Sequence, residues 1–473
     1  MEKKRLSRRD FLRMSAITAA GVALASCAPR AAPEEETTPE AEQAPTDTPA
    51  PMEPVVLNYW LPSGETEDGS WAQHDEWAQQ YDAANENVSF EFGGPGWDDY
   101  WTKLPLEIAQ GTGPDLFWFH FNWTIPFIQG GLMAPFSADD AAEIKNKVAF
   151  IDDFLYDGKL YWWAEGWQTR AMFWNKAMVE EVGITSKDEL PKDWEGFIEL
   201  AKEMTQYDDA GEVTRAGFHW FHGDVRWTWA DFKAQLGEYF FSEDGRRGTM
   251  YTPGGISTAQ MILDWEFEDR VGSTDLPGHI FDAFTSDLAA VALGAGWMEN
   301  QLLDNYPDKE VYITNLPTPG GKVPPAYCRR TPEATSCVSS QSKNKAAAFE
   351  FVKWYTTDPD IMIERANGGV VPSLRAIQDT VQDWGGRWVQ TALEAIDRTL
   401  FLGTPPPEWE NQFNLFTEPV YIARSMEIEP ALEEAQLAMD EVLSEEEYPL
   451  VLWGYQEREY AHADEMHMPE ILA

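Results

Sequence analysis

The sequence predicts an α/β fold organised on a parallel sheet, and three runs near the start of its globular part predict it. Val55-Val56-Leu57-Asn58-Tyr59-Trp60 is β-branched and aromatic and is stopped by Pro62-Ser63-Gly64. Val88-Ser89-Phe90-Glu91-Phe92 alternates apolar and polar, and Asp115-Leu116-Phe117-Trp118-Phe119 reads as a buried strand. A helical pattern separates each pair. Trp71, Trp77 and Tyr81 recur near helical spacing, and residues 100–110 form a second helix closed by Gly111-Thr112-Gly113-Pro114. Strands alternating with helices at this spacing pair in parallel. Ligands of open α/β sheets gather beyond the carboxyl ends of the strands, so the loops after Trp60, Phe92 and Phe119 are the first places to look.

The chain ahead of this body reads as an address and a tether. Lys3, Lys4, Arg5, Arg8, Arg9 and Arg13 make a basic opening, and residues 15–25 are small and apolar but too few to span a bilayer. Ser7-Arg8-Arg9-Asp10-Phe11-Leu12 resembles the twin-arginine export signal, the plainer alternative being a general secretory signal. Leu24-Ala25-Ser26-Cys27 suits a lipoprotein signal peptidase, which makes residues 1–27 a signal peptide and Cys27 the lipidated residue. Residues 28–54 are rich in Pro, Glu, Thr and Ala, with almost nothing to bury. They are expected to form a disordered spacer.

The body from Val55 onward is long enough for a large core or two lobes. Its charge excludes some partners: 81 acidic against 35 basic residues leave a formal −46, which repels nucleic acid and anionic lipid surfaces. Membrane contact is then expected through the lipid anchor only. Apart from Cys27 the chain has Cys328 and Cys337, nine positions apart in an exported protein. A disulfide across a short loop or hairpin is the expectation, two buried thiols the alternative.

A series of short motifs resembles, in order, the extracellular solute-binding proteins of the maltose-binding type. They are Gln110-Gly111-Thr112-Gly113-Pro114-Asp115, Gly130-Gly131-Leu132-Met133-Ala134-Pro135-Phe136, Gly158-Lys159-Leu160-Tyr161 and Phe173-Trp174-Asn175-Lys176. Leu190-Pro191-Lys192-Asp193-Trp194, the Asp208-Asp209-Ala210-Gly211 hairpin, Asn315-Leu316-Pro317-Thr318-Pro319 and Ser340-Gln341-Ser342-Lys343-Asn344-Lys345 continue the series. Ala164 replaces a usual proline, Trp162-Trp163 replace a smaller pair, and nothing after about residue 448 matches. The resemblance implies a two-lobed periplasmic-binding-protein-like fold of type II with a ligand cleft between the lobes. The first lobe would take residues 55–165 and 311–360, the second 166–310 and 361–473. It further implies a monomer, without enzymatic activity or cofactor, that is lipid-anchored on the outer face of the cytoplasmic membrane, in a periplasm or at the cell surface. Such a protein captures a solute and delivers it to ABC permease subunits.

The body's 22 tryptophans point to a carbohydrate, because pyranose C–H faces pack on aromatic rings while hydroxyl edges need planar polar groups. Candidate ligand residues are Trp60, Ser63 and Glu65 after the first strand, Trp97 and Trp101 after the second, and Asn122 and Trp123 after the third. Glu165, Trp167 and Gln168 precede the Asn-Lys landmark; Trp220 and His222 follow a strand; Trp297 follows a small-residue turn; Trp409 follows three prolines. The alternative for every tryptophan is core packing. His219 with His222, and His462 with His467, lack the sulfur or carboxylate partners of a metal site, so no metal is expected. A nucleophile elbow, a zinc-protease motif and a phosphate loop are all missing from the sequence. A surface-anchored polysaccharide-degrading enzyme, an adhesive lipoprotein and a binding protein for a polyol or glycerol phosphate stand as the alternatives.

Overall fold

The computed structural model describes residues 54–444 except 63–68, 86, 221–224, 239, 243–246, 274–275, 277–279, 379, 382–384 and 402–408. The expectations for Cys27, the tether, Ser63, Glu65, His222 and the residues after 448 lie outside the described residues. The strands are β1 (Val55–Trp60), β2 (Val88–Gly93), β3 (Leu116–Phe117), β4 (Leu155–Tyr156), β5 (Lys159–Leu160), β6 (Ala164–Thr169), β7 (Ala171–Asn175) and β8 (Gln206–Tyr207). They continue as β9 (Val213–His219), β10 (Ala289–Gly294), β11 (Val311–Thr314), β12 (Cys328–Ala334), β13 (Cys337–Val338), β14 (Val371–Pro372) and β15 (Thr399–Phe401).

Two sheets carry two lobes, and a third sheet joins them. The first has the order β13-β3-β1-β2, the second β11-β7-β10-β9-β8, and the joining sheet β14-β6-β12-β15. As the alternation predicts, β1 pairs in parallel with β2 and with β3. The helices Gly69–Ala84 and Trp97–Gln110 fill the connections. Gly111 ends the second of these in the left-handed region, at φ 75°, where a residue without a Cβ is at no disadvantage.

The joining sheet makes the two-lobed form. Its strand β6 runs through Arg170 straight into β7 of the second sheet, and β12 runs through Thr335 and Ser336 into β13 of the first. β6 and β12 are antiparallel, with Thr331 opposite Gln168 and Glu333 opposite Gly166. One detail departs from the expected division of the chain: Val311–Thr314, placed by resemblance in the first lobe, pairs with β7 as an edge strand of the second sheet.

The cysteine expectation is corrected. Cys328 and Cys337 are free and buried. Cys328 opens β12 in the joining sheet and Cys337 opens β13 in the first sheet. The extended run between them holds the two thiols far beyond disulfide reach, since a strand rises about 3.3 Å per residue and bridged Cα atoms lie within roughly 7 Å.

A buried polar chain links the first lobe to the joining sheet. The Tyr59 hydroxyl lies 2.8 Å from His74 Nδ1 and also meets the Ser336 hydroxyl. The Ser336 backbone N–H donates to the Tyr355 hydroxyl at 2.8 Å, and Tyr355 in turn bonds Glu165 on β6. Trp77 stacks on Tyr355 at 5.3 Å and closes the site to water. Burial, with a smaller push from the Arg365 charge, drives the His74 imidazole down to about 3.

Two outcomes are expected. In a Cys27→Ser chain, a thiol reagent should find no fast-reacting group in the native protein and two after denaturation; a disulfide would yield none. An unfolded His74 takes a proton below about pH 6.5 while the folded one stays neutral, so its share of stability falls as pH drops through that window. Between pH 7.5 and 4.5 the protein should lose about 2–3 kcal/mol more than His74→Asn, read from urea unfolding. Parallel pH profiles for the two would show that the imidazole is not held neutral.

Candidate functional site

The loops beyond the carboxyl ends of β1, β2 and β3 converge. Tyr100 fixes two of them, its single hydroxyl proton shared between the carbonyls of Trp60 at 3.0 Å and Trp118 at 2.9 Å. Trp118 N–H donates back to the Trp60 carbonyl at 2.8 Å. The chain then turns through His120, which accepts at 3.4 Å from the Asn122 backbone N–H, into the short 3₁₀ turn Phe121–Trp123. This places Trp123 flat against Trp101, ring centroids 5.4 Å apart and planes within 5°. Trp118 and His120 flank the Trp101 ring at 6.1 and 6.3 Å. Trp60, Trp101, Asn122 and Trp123 are all half-buried, so this aromatic cluster reaches solvent. Burial draws the His120 imidazole down to about 4.

The same 3₁₀ turn touches β12, and so does the helix Val225–Gln235 of the second lobe. The joining sheet is therefore a floor with a wall on each side. Its two faces differ. One is dry: Trp167, Arg330 and Pro332 are buried, with the Arg330 guanidinium 5.0 Å from the Trp167 ring. On the other, Gln168, Thr331 and Glu333 keep partial exposure.

Charged groups brace that face at both ends. Gln168 Nε2 donates to Glu333 Oε1 at 2.7 Å, and Arg365 reaches Glu333 at 3.5 Å while donating to Glu165 at 2.7 Å. Glu165 is buried, and burial raises its carboxyl above the ordinary range against the opposing pull of Arg365. At the other end Arg329 donates to the Thr331 hydroxyl at 3.2 Å and lies 3.9 Å over the Trp227 ring. Its backbone N–H donates to the buried Asp231 at 2.9 Å, and Arg170 stands 3.8 Å from the same carboxylate.

The predicted site residues thus divide. Trp60, Asn122, Trp123 and Gln168 line the walls or floor. Trp167 and Trp220 are core: Trp167 is 1% exposed and wedged between Phe154 and Arg330, while Trp220 is 4% exposed against Phe218 and Trp265. Glu165 is an internal ion-pair partner rather than a rim group. Trp297 is half-buried beside Phe281 at the start of the helix Gly296–Asn305. The side chains of Trp97 and Trp409 lie outside the described residues. Sequence reading missed Thr331, Glu333, Arg329 and Trp227. The first three alternate along one strand, but the pattern Arg-x-Thr-x-Glu carries no signal until its register against Gln168 is known. Among the described residues no group of His, Cys, Asp and Glu side chains could hold a metal ion. A surface groove between Ile256, Phe267, Val420 and Met426 includes none of the floor or wall residues.

A family model described as bacterial extracellular solute-binding protein matches residues 63–361. The chain belongs to that family. This solute-binding protein is 24% identical over 290 residues to a binding protein of Brucella abortus, the match covering 58% of this chain and 66% of that one, just under two thirds. It is also 24% identical to a maltotriose-binding protein of Pyrococcus abyssi, with 59% of each chain matched. Among solved structures, an ABC transporter solute-binding protein from Thermotoga lettingae bound with α-D-tagatose superposes with a TM-score of 0.70 at 18% identity. It covers 82% of this chain and all of that one. The maltose/maltodextrin-binding domain from Bdellovibrio bacteriovorus bound to maltotriose gives 0.68 at 19% identity, again over 82% of this chain and all of the other. The family is extracellular, and among the described residues no helix is long and apolar enough to cross a membrane.

Trp167→Ala should cost about 3–5 kcal/mol of stability, the loss of a large fully buried ring, seen as a lower urea midpoint. An unchanged midpoint would mean the ring is not part of the core.

Proposed function

We propose that the protein is the substrate-binding lipoprotein of an ABC importer and captures a carbohydrate, an oligosaccharide, between its lobes. The observation that carries this reading is the half-buried Trp101–Trp123 stack set beside a polar strand. Ring faces and hydroxyl edges of a sugar need these two surfaces together. Relatives named for maltotriose binding, and similar folds holding tagatose and maltotriose, support the same class.

In this reading the protein does no chemistry of its own. The lobes close because a ligand touching both favours the closed form by its difference in affinity for the two states. Lipid on Cys27 keeps the body, as a monomer, on the outer face of the cytoplasmic membrane, and the 28–54 spacer gives it reach toward its permease. The twin-arginine route would export it already folded.

Titration calorimetry over mono- to tetrasaccharides should give saturable binding with no product. Trp123→Ala should weaken it by about tenfold or more, since an aromatic stacking contact contributes roughly 0.5–1.5 kcal/mol beyond the area it buries. Silence across all sugars beside a clear response to a polyol, phosphate ester or peptide would overturn the carbohydrate reading. Release of cleaved glycan would point to a polysaccharide-degrading enzyme instead.

A further inference from the structure

Resting on the carbohydrate reading, we propose that the polar face of β12, where Glu333 and Thr331 reach solvent beside Gln168 and the buried Arg329 bonds Thr331, is a hydroxyl-reading strip for a neutral oligosaccharide. Glu333 is its charged acceptor.

The strip follows from strand geometry. Residues two apart on a strand share a face, so Glu333, Thr331 and Arg329 form one row. The register sets Gln168 directly opposite Thr331. Four residue steps of strand make the row roughly 13 Å long, longer than a single pyranose ring. Along it the chemistry runs from a carboxylate acceptor to a hydroxyl that both donates and accepts, and the buried Arg329 guanidinium, 3.4 Å from Asp231, backs that hydroxyl. A sugar edge offers hydroxyls that also do both, in a row.

Each end of the strip is held in place from behind. Arg365 reaches Glu333 at 3.5 Å and is already committed to Glu165 at 2.7 Å, so its charge is divided between two carboxyl groups and Glu333 is not neutralised by a partner of its own. Glu333 keeps 22% of its side-chain surface, enough for a ligand hydroxyl to reach it. Arg329 is fixed by the Trp227 face at 3.9 Å and by its bond to Thr331. The wall turn Phe121–Trp123 also touches β12. A ring laid on the tryptophan stack would lie beside β12, and in this proposal its hydroxyl edge meets the strip. An acidic sugar would bring its own carboxylate toward Glu333, and the like charges would repel.

The test compares the full-length protein with Glu333→Gln and Glu333→Asp, using neutral mono- to tetrasaccharides, maltotriose and D-tagatose among them, and trigalacturonate as the acidic probe. Wild type should bind a neutral sugar in preference to the uronate. Glu333→Gln should weaken that binding about ten- to hundredfold, the size of a hydrogen bond to a charged group, with an unchanged urea midpoint because Arg365 keeps Glu165. Glu333→Asp should keep the preference for neutral sugars with a smaller loss. Undiminished affinity in Glu333→Gln would overturn the strip and leave the carbohydrate reading standing. Tighter binding of trigalacturonate would overturn the neutral class. If wild type binds no sugar, the carbohydrate reading fails and the strip fails with it.

Discussion

Arg365 holds the place where the two lobes meet. It stands on the helix Pro359–Asn367, a few residues before β14, and reaches Glu165 of β6 and Glu333 of β12. One guanidinium thus ties two strands of the joining sheet to the helix that leads into a third. Its planar fork suits the task, because two carboxylates on different strands can share it. Removing one partner from a buried pair leaves an uncompensated charge, at a cost of about 3–5 kcal/mol. The buried chain from Glu165 through Tyr355, Ser336 and Tyr59 to His74 extends this tie into the first lobe. The relative placement of floor and wall therefore rests on polar contacts, which fix direction as well as distance.

Much of the fold was legible because it depends on local pattern. The alternation of strand and helix over the first sixty residues of the body needs only period-two and helical spacing to be read, and the parallel pairing follows from connection length. The motif series was legible for a related reason: its residues are scaffold. Asp115 accepts from the Asn58 backbone N–H at 3.1 Å and from the Ser342 hydroxyl at 2.5 Å, joining two landmarks far apart in the chain. Asn175 caps the helix Lys176–Glu181 and binds Asp287. What could not be read was which sheet a short strand joins. Val311–Thr314 and the two cysteines were both misplaced because proximity in sequence says little about partners across a crossing.

The candidate site was legible in part, and the limit was tryptophan itself. A high tryptophan count suggested stacking platforms, but Trp77, Trp162, Trp163, Trp167, Trp174, Trp229, Trp265 and Trp388 are all fully buried. In this chain the indole is first a core residue, packed ring against ring as in the Trp220–Trp265 pair at 5.5 Å. Among the described tryptophans, partial exposure combined with a second tryptophan ring within 5° of parallel separates Trp101 and Trp123 from the rest. Neither property is written in composition or spacing. Polar candidates were harder still. Gln168 and Glu165 stand on one strand, yet a β-bulge at Glu165 breaks the alternation between them, so Glu165 is buried against Arg365 while Gln168 keeps partial exposure beside Glu333.

The small-residue turn before Trp297 has a structural reason of its own. A Cβ placed on Gly296 would lie 1.8 Å from the Gly369 carbonyl oxygen, and Gly369 itself sits at φ +89°. Two backbones touch there, and any side chain at either position would force them apart. Gly369 is four residues past Arg365 and two before β14. The second-lobe helix Gly296–Asn305 therefore bears directly on the segment that Arg365 anchors. Glu299 on the same helix accepts from the Trp388 backbone N–H at 2.7 Å and from Arg387 at 3.0 Å, which fixes its other side. A motif that looks in sequence like the approach to a ligand platform is thus explained by a close backbone contact. The second lobe and the segment that leads into β14 are therefore in direct backbone contact at this point.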